Sequence, residues 1–230
     1  MADAGVREAA PSFEACAIPD AGYREQLISL LSVQAAPMWS VGRQAAYEEH
    51  VMDGPSLDHW VRTADAWAQV ERGCWELDRL LGRLGAGTWP DLAPAATGAS
   101  SVAEALEGWI DLLFAQLAVD RLGAAMAQAC ADSSYSPLRR TARLVALTKR
   151  GLWASGEVGL REVVARGQLP VAELAPRAGV WLELTSSLAQ RYAEVQDAGA
   201  GAAGLVGVFD VQAEVAAIGR QVHRLVEEGS

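Results

Sequence analysis

The sequence has few of the features that mark disulfide-bonded, membrane or β-rich proteins. Its three cysteines, Cys16, Cys74 and Cys130, are odd in number, widely spaced and without a CxxC pair. A disulfide framework is therefore not expected, and a reducing cytoplasm is the natural compartment. No apolar run approaches the roughly 20 residues of a transmembrane helix, and no basic start precedes an apolar block as in a signal peptide. The only candidate strand, GLVGVFDV near residue 207, is short.

Basic residues and the common nucleotide or hydrolase motifs are also scarce. Lysine and arginine total 19 against 29 aspartates and glutamates, which gives a net charge of −10 and a pI near 4.8. This balance argues against a nucleic-acid partner and against an anionic membrane surface. GxxxxGK[ST], HExxH and GxSxG are absent from the sequence, and the single GxGxxG spacing, at 199–204, follows no predicted strand, so this Gly-rich stretch is interpreted as a linker. The sequence therefore has no P-loop, zinc-peptidase or α/β-hydrolase signature, and glycines without a preceding strand do not indicate a dinucleotide site.

What the sequence does contain is helix-forming composition. Hydrophobic residues make up 51% of the 230 positions, and Ala- and Leu-rich segments alternate with short Pro/Gly breaks. We predict an all-α, ferritin-like four-helix bundle with additional C-terminal helices, in one domain over 21–230 after a flexible segment over 1–20. The expected helices cover residues 23–52 with a kink at Pro37, 56–85, 101–132, 136 to the break at 167, 171–197, and 210–227.

Polar residues occur on the predicted inner faces of several helices. In the second helix, Trp60, Ala64, Trp67, Glu71, Cys74, Asp78 and Leu81 recur at steps of four and three, so they share one face. This pattern predicts that Glu71 and Cys74 point inward. The third helix carries Asp120 in its apolar stripe, and Lys149 lies on an apolar line of the fourth helix.

This distribution can be compared with that of di-iron bundles, in which two helices each give one carboxylate and two give Glu-x-x-His. Here the second helix offers Glu71-Arg72-Gly73-Cys74, with cysteine where histidine is needed. The fourth offers Lys149 and neither a carboxylate nor a histidine. Remaining candidates come from the first and third helices: Glu48, Glu49, His50, Asp111 and Asp120.

The segment QAAYEEHVMDGPSLDHWVRTADAWAQVERGCWELDRLLGRLG resembles ferritin-like proteins of the phenylacetyl-CoA monooxygenase type and related bacterial di-iron hydroxylases. The resemblance implies that Glu49 and Glu71 stand at ligand positions and Cys74 at the histidine. Asp120 is the loose match on the third helix. Lys149 falls near the remaining ligand glutamate, where its positive charge would repel a dimetal cluster. Such families include metal-free members that serve as structural partners.

The resemblance implies several functions. The first is a metal-free tailoring enzyme acting on a small organic, possibly thioester-bound, substrate, with Glu71, Lys149, Glu49 and Cys74 as catalytic residues. The second is a non-catalytic subunit or partner of an oxygenase complex. An iron-dependent oxygenase would use Glu49, Glu71, His50 and Asp120 as ligands. A weaker alternative is an all-α ligand-binding regulator. We expect no cofactor, with iron as the alternative. The expected partner is a small-molecule substrate or another protein subunit, and a homodimer is a further alternative.

We further predict an interior ion pair between Glu71 and Lys149, with Glu49 as a candidate third member, because a lone buried charge is very costly. The alternatives are that Glu71 lies at a surface edge or in another core salt bridge, and that Lys149 extends its ammonium to solvent. His50 has the alternative of interacting only with the helix dipole.

Histidine and tryptophan positions give two further predictions. We expect His59 and His223 on the surface. Most of the eight tryptophans should be core residues, while Trp67, Trp75 and Trp153 are candidate walls of a pocket for a flat ligand. Asp120 is the polar residue expected beside that pocket.

Overall fold

The computed structural model describes residues 18–35, 56–85, 102 and 104–227, and in these ranges it contains helices and no strands. The all-α prediction is therefore confirmed, and GLVGVFDV is not a strand. None of the described helices is long and apolar enough to cross a bilayer. The helices are α1 (Ala21–Ala35), α2 (Leu57–Arg83), α3 (Trp109–Ala115), α4 (Arg121–Ala129), α5 (Ser136–Ala165), α6 (Val171–Val195) and α7 (Val211–Glu227).

Two π-helical turns and one 3-10 turn extend these helices. The first π-helical turn (Gln116–Asp120) joins α3 to α4, the 3-10 turn (Cys130–Asp132) follows α4, and the second π-helical turn (Gln196–Ala200) follows α6. The second lies where the sequence predicted a linker. The predicted third helix is also interrupted, since residues 105–108 are not helical and α3 restarts after Gly108. Glycine is a poor helix former, which explains a break at that position.

Local signals explain where α2 begins and ends and where α5 begins. The Ser56 hydroxyl accepts a hydrogen bond from the His59 amide at 3.1 Å, which caps α2. Gly85, with φ of 68°, follows its end in the left-handed conformation that glycine tolerates. Pro137 lies in the first turn of α5, where its missing N–H costs nothing. These predicted boundaries agree with the structure.

Helix α5 is central and packs against α2 along its length and against α3, α4 and the π-helical turn between them. The second and fourth of the predicted helices, α2 and α5, therefore lie side by side. Their direction is antiparallel, because Gly73 of α2 lies beside Val145 while His59 lies beside Gly159. Helices α6 and α7 pack against each other, and α6 also contacts α1 and α3. The ferritin-like order of the bundle stays a prediction.

Candidate interior polar site

The most buried charges in the described structure form an ion pair between α5 and the first π-helical turn. The ammonium nitrogen of Lys149 lies 2.9 Å from Oδ1 of Asp120, and the side chains are 2% and 1% exposed. Removing either charge from water is unfavourable, and the hydrogen-bonded pairing compensates part of that cost. Lys149 is the only lysine in the sequence, which otherwise uses arginine.

A glycine makes room for this lysine. A Cβ atom at Gly123 would lie 2.7 Å from Nζ and 2.8 Å from Cδ of Lys149, so any larger residue there would displace the lysine side chain. Asp120 ends the π-helical turn, all five residues of which are buried. Because a π-helical turn closes i→i+5 hydrogen bonds, it changes the direction in which later residues of the helix point. The turn thus sets the direction of Asp120 toward α5.

Gln116, at the start of the same turn, brings an amide group into the interior. Its side chain is fully buried, and neither its oxygen nor its nitrogen has a hydrogen-bond partner among the described residues. Leaving a buried polar group unpaired costs about 1–3 kcal/mol. The amide therefore marks a position where a water molecule, a ligand or another part of the chain would be stabilised.

His59 adds a fourth polar group on α2. The prediction that it lies on the surface is wrong, since it is 1% exposed and its ring packs against Gly159. Thr63 Oγ1 lies 3.3 Å from its Nε2. Burial, and secondly the Arg62 charge, lower the pKa of the imidazole, while Glu162 and the Ser155 backbone act in the opposite direction. His223 is exposed, as predicted.

The prediction that Glu71 faces the interior is wrong. Glu71 is exposed, whereas the side of α2 toward α5 consists of Gly73, Leu77 and their neighbours one turn away. The face of α2 that carries Glu71 and the face that carries Gly73 and Leu77 are close in angle around the helix axis. Helix α5 packs against the face with Gly73 and Leu77. The buried ion pair of Lys149 is therefore formed with Asp120 and not, as the sequence suggested, with an inward-facing Glu71.

The remaining predicted residues are divided between different places. Trp75 is 63% exposed on the surface of α2, and its place in the wall of a ligand pocket stays a prediction. Trp153 lines a surface cleft of about 520 Å³, with the Arg121 guanidinium 4.9 Å from its ring centre. Glu49 and His50 lie outside the described residues, as do the side chains of Trp67 and Cys74, and their roles stay predictions.

Asp111, the alternative carboxylate of the third helix, belongs to a separate cluster. It accepts hydrogen bonds from Arg177 at 2.5 Å and from the Trp181 indole at 3.3 Å. Both donors are on α6, so Asp111 ties α3 to α6.

Cys130 is a free cysteine buried in the hydrophobic core. Burial raises the pKa of its thiol to about 11, although hydrogen bonds from Tyr192 and Gln34 act to lower it. At neutral pH this thiol is protonated and is a poor nucleophile.

Within the described ranges, no group of three or more histidine, cysteine, aspartate or glutamate side chains is placed to hold a metal ion. Searches of protein-family models, curated proteins and solved structures find no match to this chain.

Proposed function

We propose that this protein is a metal-free ferritin-like bundle that acts as a non-catalytic subunit, through binding at its surface. The observation that carries the proposal is the Asp120–Lys149 ion pair. Asp120 is the third-helix carboxylate that the resemblance would assign to a metal, and here it is bonded to an ammonium group inside the bundle.

The donor set also fits a dimetal centre poorly. Such a centre uses four carboxylates and two histidines from four helices. In this chain the fourth helix supplies the cation of Lys149, and the second helix exposes Glu71. Two positive centres a few ångströms apart in a low-dielectric interior repel each other strongly. We therefore assign no reaction step to a metal.

The outer face of α5 supports a binding role. Leu147 and Val158 are 65% and 41% exposed, and Gly151 and Ala154 lie between them at helical spacing. This line borders a groove of about 480 Å³ whose other wall includes Arg62 and Asp65 of α2. Exposed apolar surface of this kind is typical of protein interfaces. A helix of a partner subunit, with large side chains over Gly151 and Ala154, would match its shape.

Metal loading tests the interior part of the proposal. We expect purified protein incubated with Fe(II), exposed to air and desalted to retain well under one iron per chain by mass spectrometry. Asp120→Asn should retain the same small amount, because Asp120 is not a ligand. Two irons per chain with an oxo-bridge absorption band would contradict the proposal.

The mass of the native assembly tests the binding part. We expect the protein in cell extract to elute well above the 24.3 kDa of one chain. Leu147→Asp should return it to that mass, because a charge would lie within the interface. The matched control is Val180→Asp on α6, a site of similar exposure that should leave the assembly intact. Elution of the unmodified protein at 24.3 kDa contradicts the subunit role.

Gln116 favours a second candidate, a metal-free enzyme on a small organic substrate. Its buried amide lies four residues before Asp120, so it could orient a substrate beside the Asp120–Lys149 pair as the acid–base group. In this candidate Glu71 is not the interior acid–base group, because its side chain is exposed.

Gln116→Leu distinguishes the two candidates. If the interior is dry and structural, removing the unpaired amide should stabilise the fold by about 1–3 kcal/mol in urea denaturation. An interior that admits water and substrate gives the amide hydrogen-bond partners, and the variant then gains nothing or loses stability. We expect the gain.

A further inference from the structure

A cleft between the C-terminal half of α2 and the first turns of α5 concentrates positive charge. Its volume is about 570 Å³. Four arginines and a single carboxylate, Glu76, are among the residues that line it, the arginines being Arg72, Arg79, Arg83 and Arg140. Over the whole chain, acidic residues outnumber basic ones by 29 to 19, so this ratio reverses the average.

The arrangement of the arginines is unfavourable unless an anion offsets it. Arg72, Arg79 and Arg83 are separated by seven and four residues and therefore share one face of α2. Like charges one turn apart on a helix destabilise it. Arg140 approaches the same cleft from α5 and adds a fourth positive charge.

Ion pairs offset only part of this charge. Arg79 forms an ion pair of 2.9 Å with Glu76. Arg72 and Arg140 are exposed, and within the described ranges neither has a carboxylate within ion-pair distance. The cleft therefore keeps a net positive charge that is accessible from solvent.

The N-terminal end of α5 adds partial positive charge to the same cleft. Ser136 and Pro137 line the cleft at the N-terminus of this 30-residue helix, whose first turn contains no acidic residue and whose N-cap side chain does not cap the helix end. The N-terminal end of a helix carries partial positive charge and unpaired N–H groups. The Thr141 hydroxyl lines the cleft one turn further along.

We propose that this cleft binds a small molecule carrying two or more linked phosphate groups. Arg72 and Arg83 are eleven residues apart, which is about 16 Å along the helix, more than one phosphate can span. Guanidinium groups bind phosphate oxygens through paired hydrogen bonds. The volume falls within the range of about 300–1,000 Å³ that is typical of small-molecule sites. The inference is independent of the proposed function, because none of these residues belongs to the interior pair.

Calorimetric titration with inorganic tripolyphosphate tests the inference. We expect saturable binding to the unmodified protein and a fall in affinity of at least about tenfold in Arg72→Gln/Arg140→Gln, because two charge-assisted contacts are lost. Both side chains are exposed, so the variant should fold normally. The matched control is Arg220→Gln/Arg224→Gln on α7, which removes two exposed charges elsewhere and should bind within about twofold of the unmodified protein if the site is local.

Three results would overturn it. One is the absence of tripolyphosphate binding at low ionic strength. Another is an equal loss of affinity in both double variants, which would indicate attraction by overall charge alone. The third is binding to vesicles that contain a phosphorylated inositol lipid without binding to soluble tripolyphosphate, which would make the surface a membrane contact.

Discussion

Lys149→Met is expected to destabilise the fold by about 3–5 kcal/mol, measured by urea denaturation at pH 7, because it removes the ammonium group that lies 2.9 Å from the buried Asp120 carboxylate. The length of the methionine side chain is similar, so the loss should arise from the charge and not from a cavity. The 2% and 1% exposure of the two side chains means that neither can turn to solvent without local opening. A loss below about 1 kcal/mol would show that water reaches Asp120.

A double-mutant cycle assigns this energy to the pair. Asp120→Leu with Lys149→Met should recover much of the loss, since a buried ion pair need not be more stable than a well-packed apolar pair. The control is Glu183→Gln, which changes an exposed carboxylate on α6 and should alter the unfolding free energy by less than about 0.5 kcal/mol. Zero coupling between positions 120 and 149 would contradict the assignment.

Gly156→Ala is expected to destabilise the fold by about 1–3 kcal/mol, through overpacking. A Cβ atom there would lie 2.6 Å from Cβ of Gln116, 2.8 Å from the Leu113 carbonyl oxygen and 2.9 Å from the Leu117 nitrogen. Because two of these three atoms belong to the backbone, the contact cannot be relieved by rotating a side chain. Helix α5 would have to move away from the π-helical turn, and thermal or urea denaturation measures the cost.

Gly179→Ala on α6 is the matched control. No atom lies within 4 Å of the position that its Cβ would occupy, so the same change should stabilise the helix by about 0.5–1 kcal/mol. The two variants thus differ in sign. Stabilisation by both would show that α5 and the π-helical turn are further apart than the structure places them.

Helix boundaries could be predicted from the sequence because they depend on local chemistry. Ser56, Gly85 and Pro137 act within one turn of their own positions, and each begins or ends a helix as expected. The adjacency of the second and fourth helices was expected from the ferritin-like order and not from local chemistry, since an up-and-down bundle with short loops would place them on a diagonal.

The inward face of α2 could not be predicted in the same way. Two lines of apolar residues run along this helix, and the one that contains Trp60 and Trp67 gave more weight to Glu71 than the structure supports. Which line is buried depends on Gly73, whose missing side chain lets Val145 of α5 approach. Such a contact joins residues 72 positions apart and leaves no local pattern.

Two other features depend on geometry that periodicity does not encode. A regular helix was assumed through residues 101–132, whereas the π-helical turn changes the register before Asp120. The arginine cleft combines Arg72, Arg79 and Arg83 with Arg140 from another helix, and no sequence window contains them together.

The burial of Lys149 has a consequence for the chemistry of amines. Since no other lysine occurs in the sequence, the folded surface of the described residues offers no side-chain amine to acylating reagents, cross-linkers or enzymes that attach groups to lysine. Any such modification at this position requires the bundle to open first. The rate at which an amine-reactive ester acylates Lys149, followed by peptide mass spectrometry, therefore reports how often the interior opens.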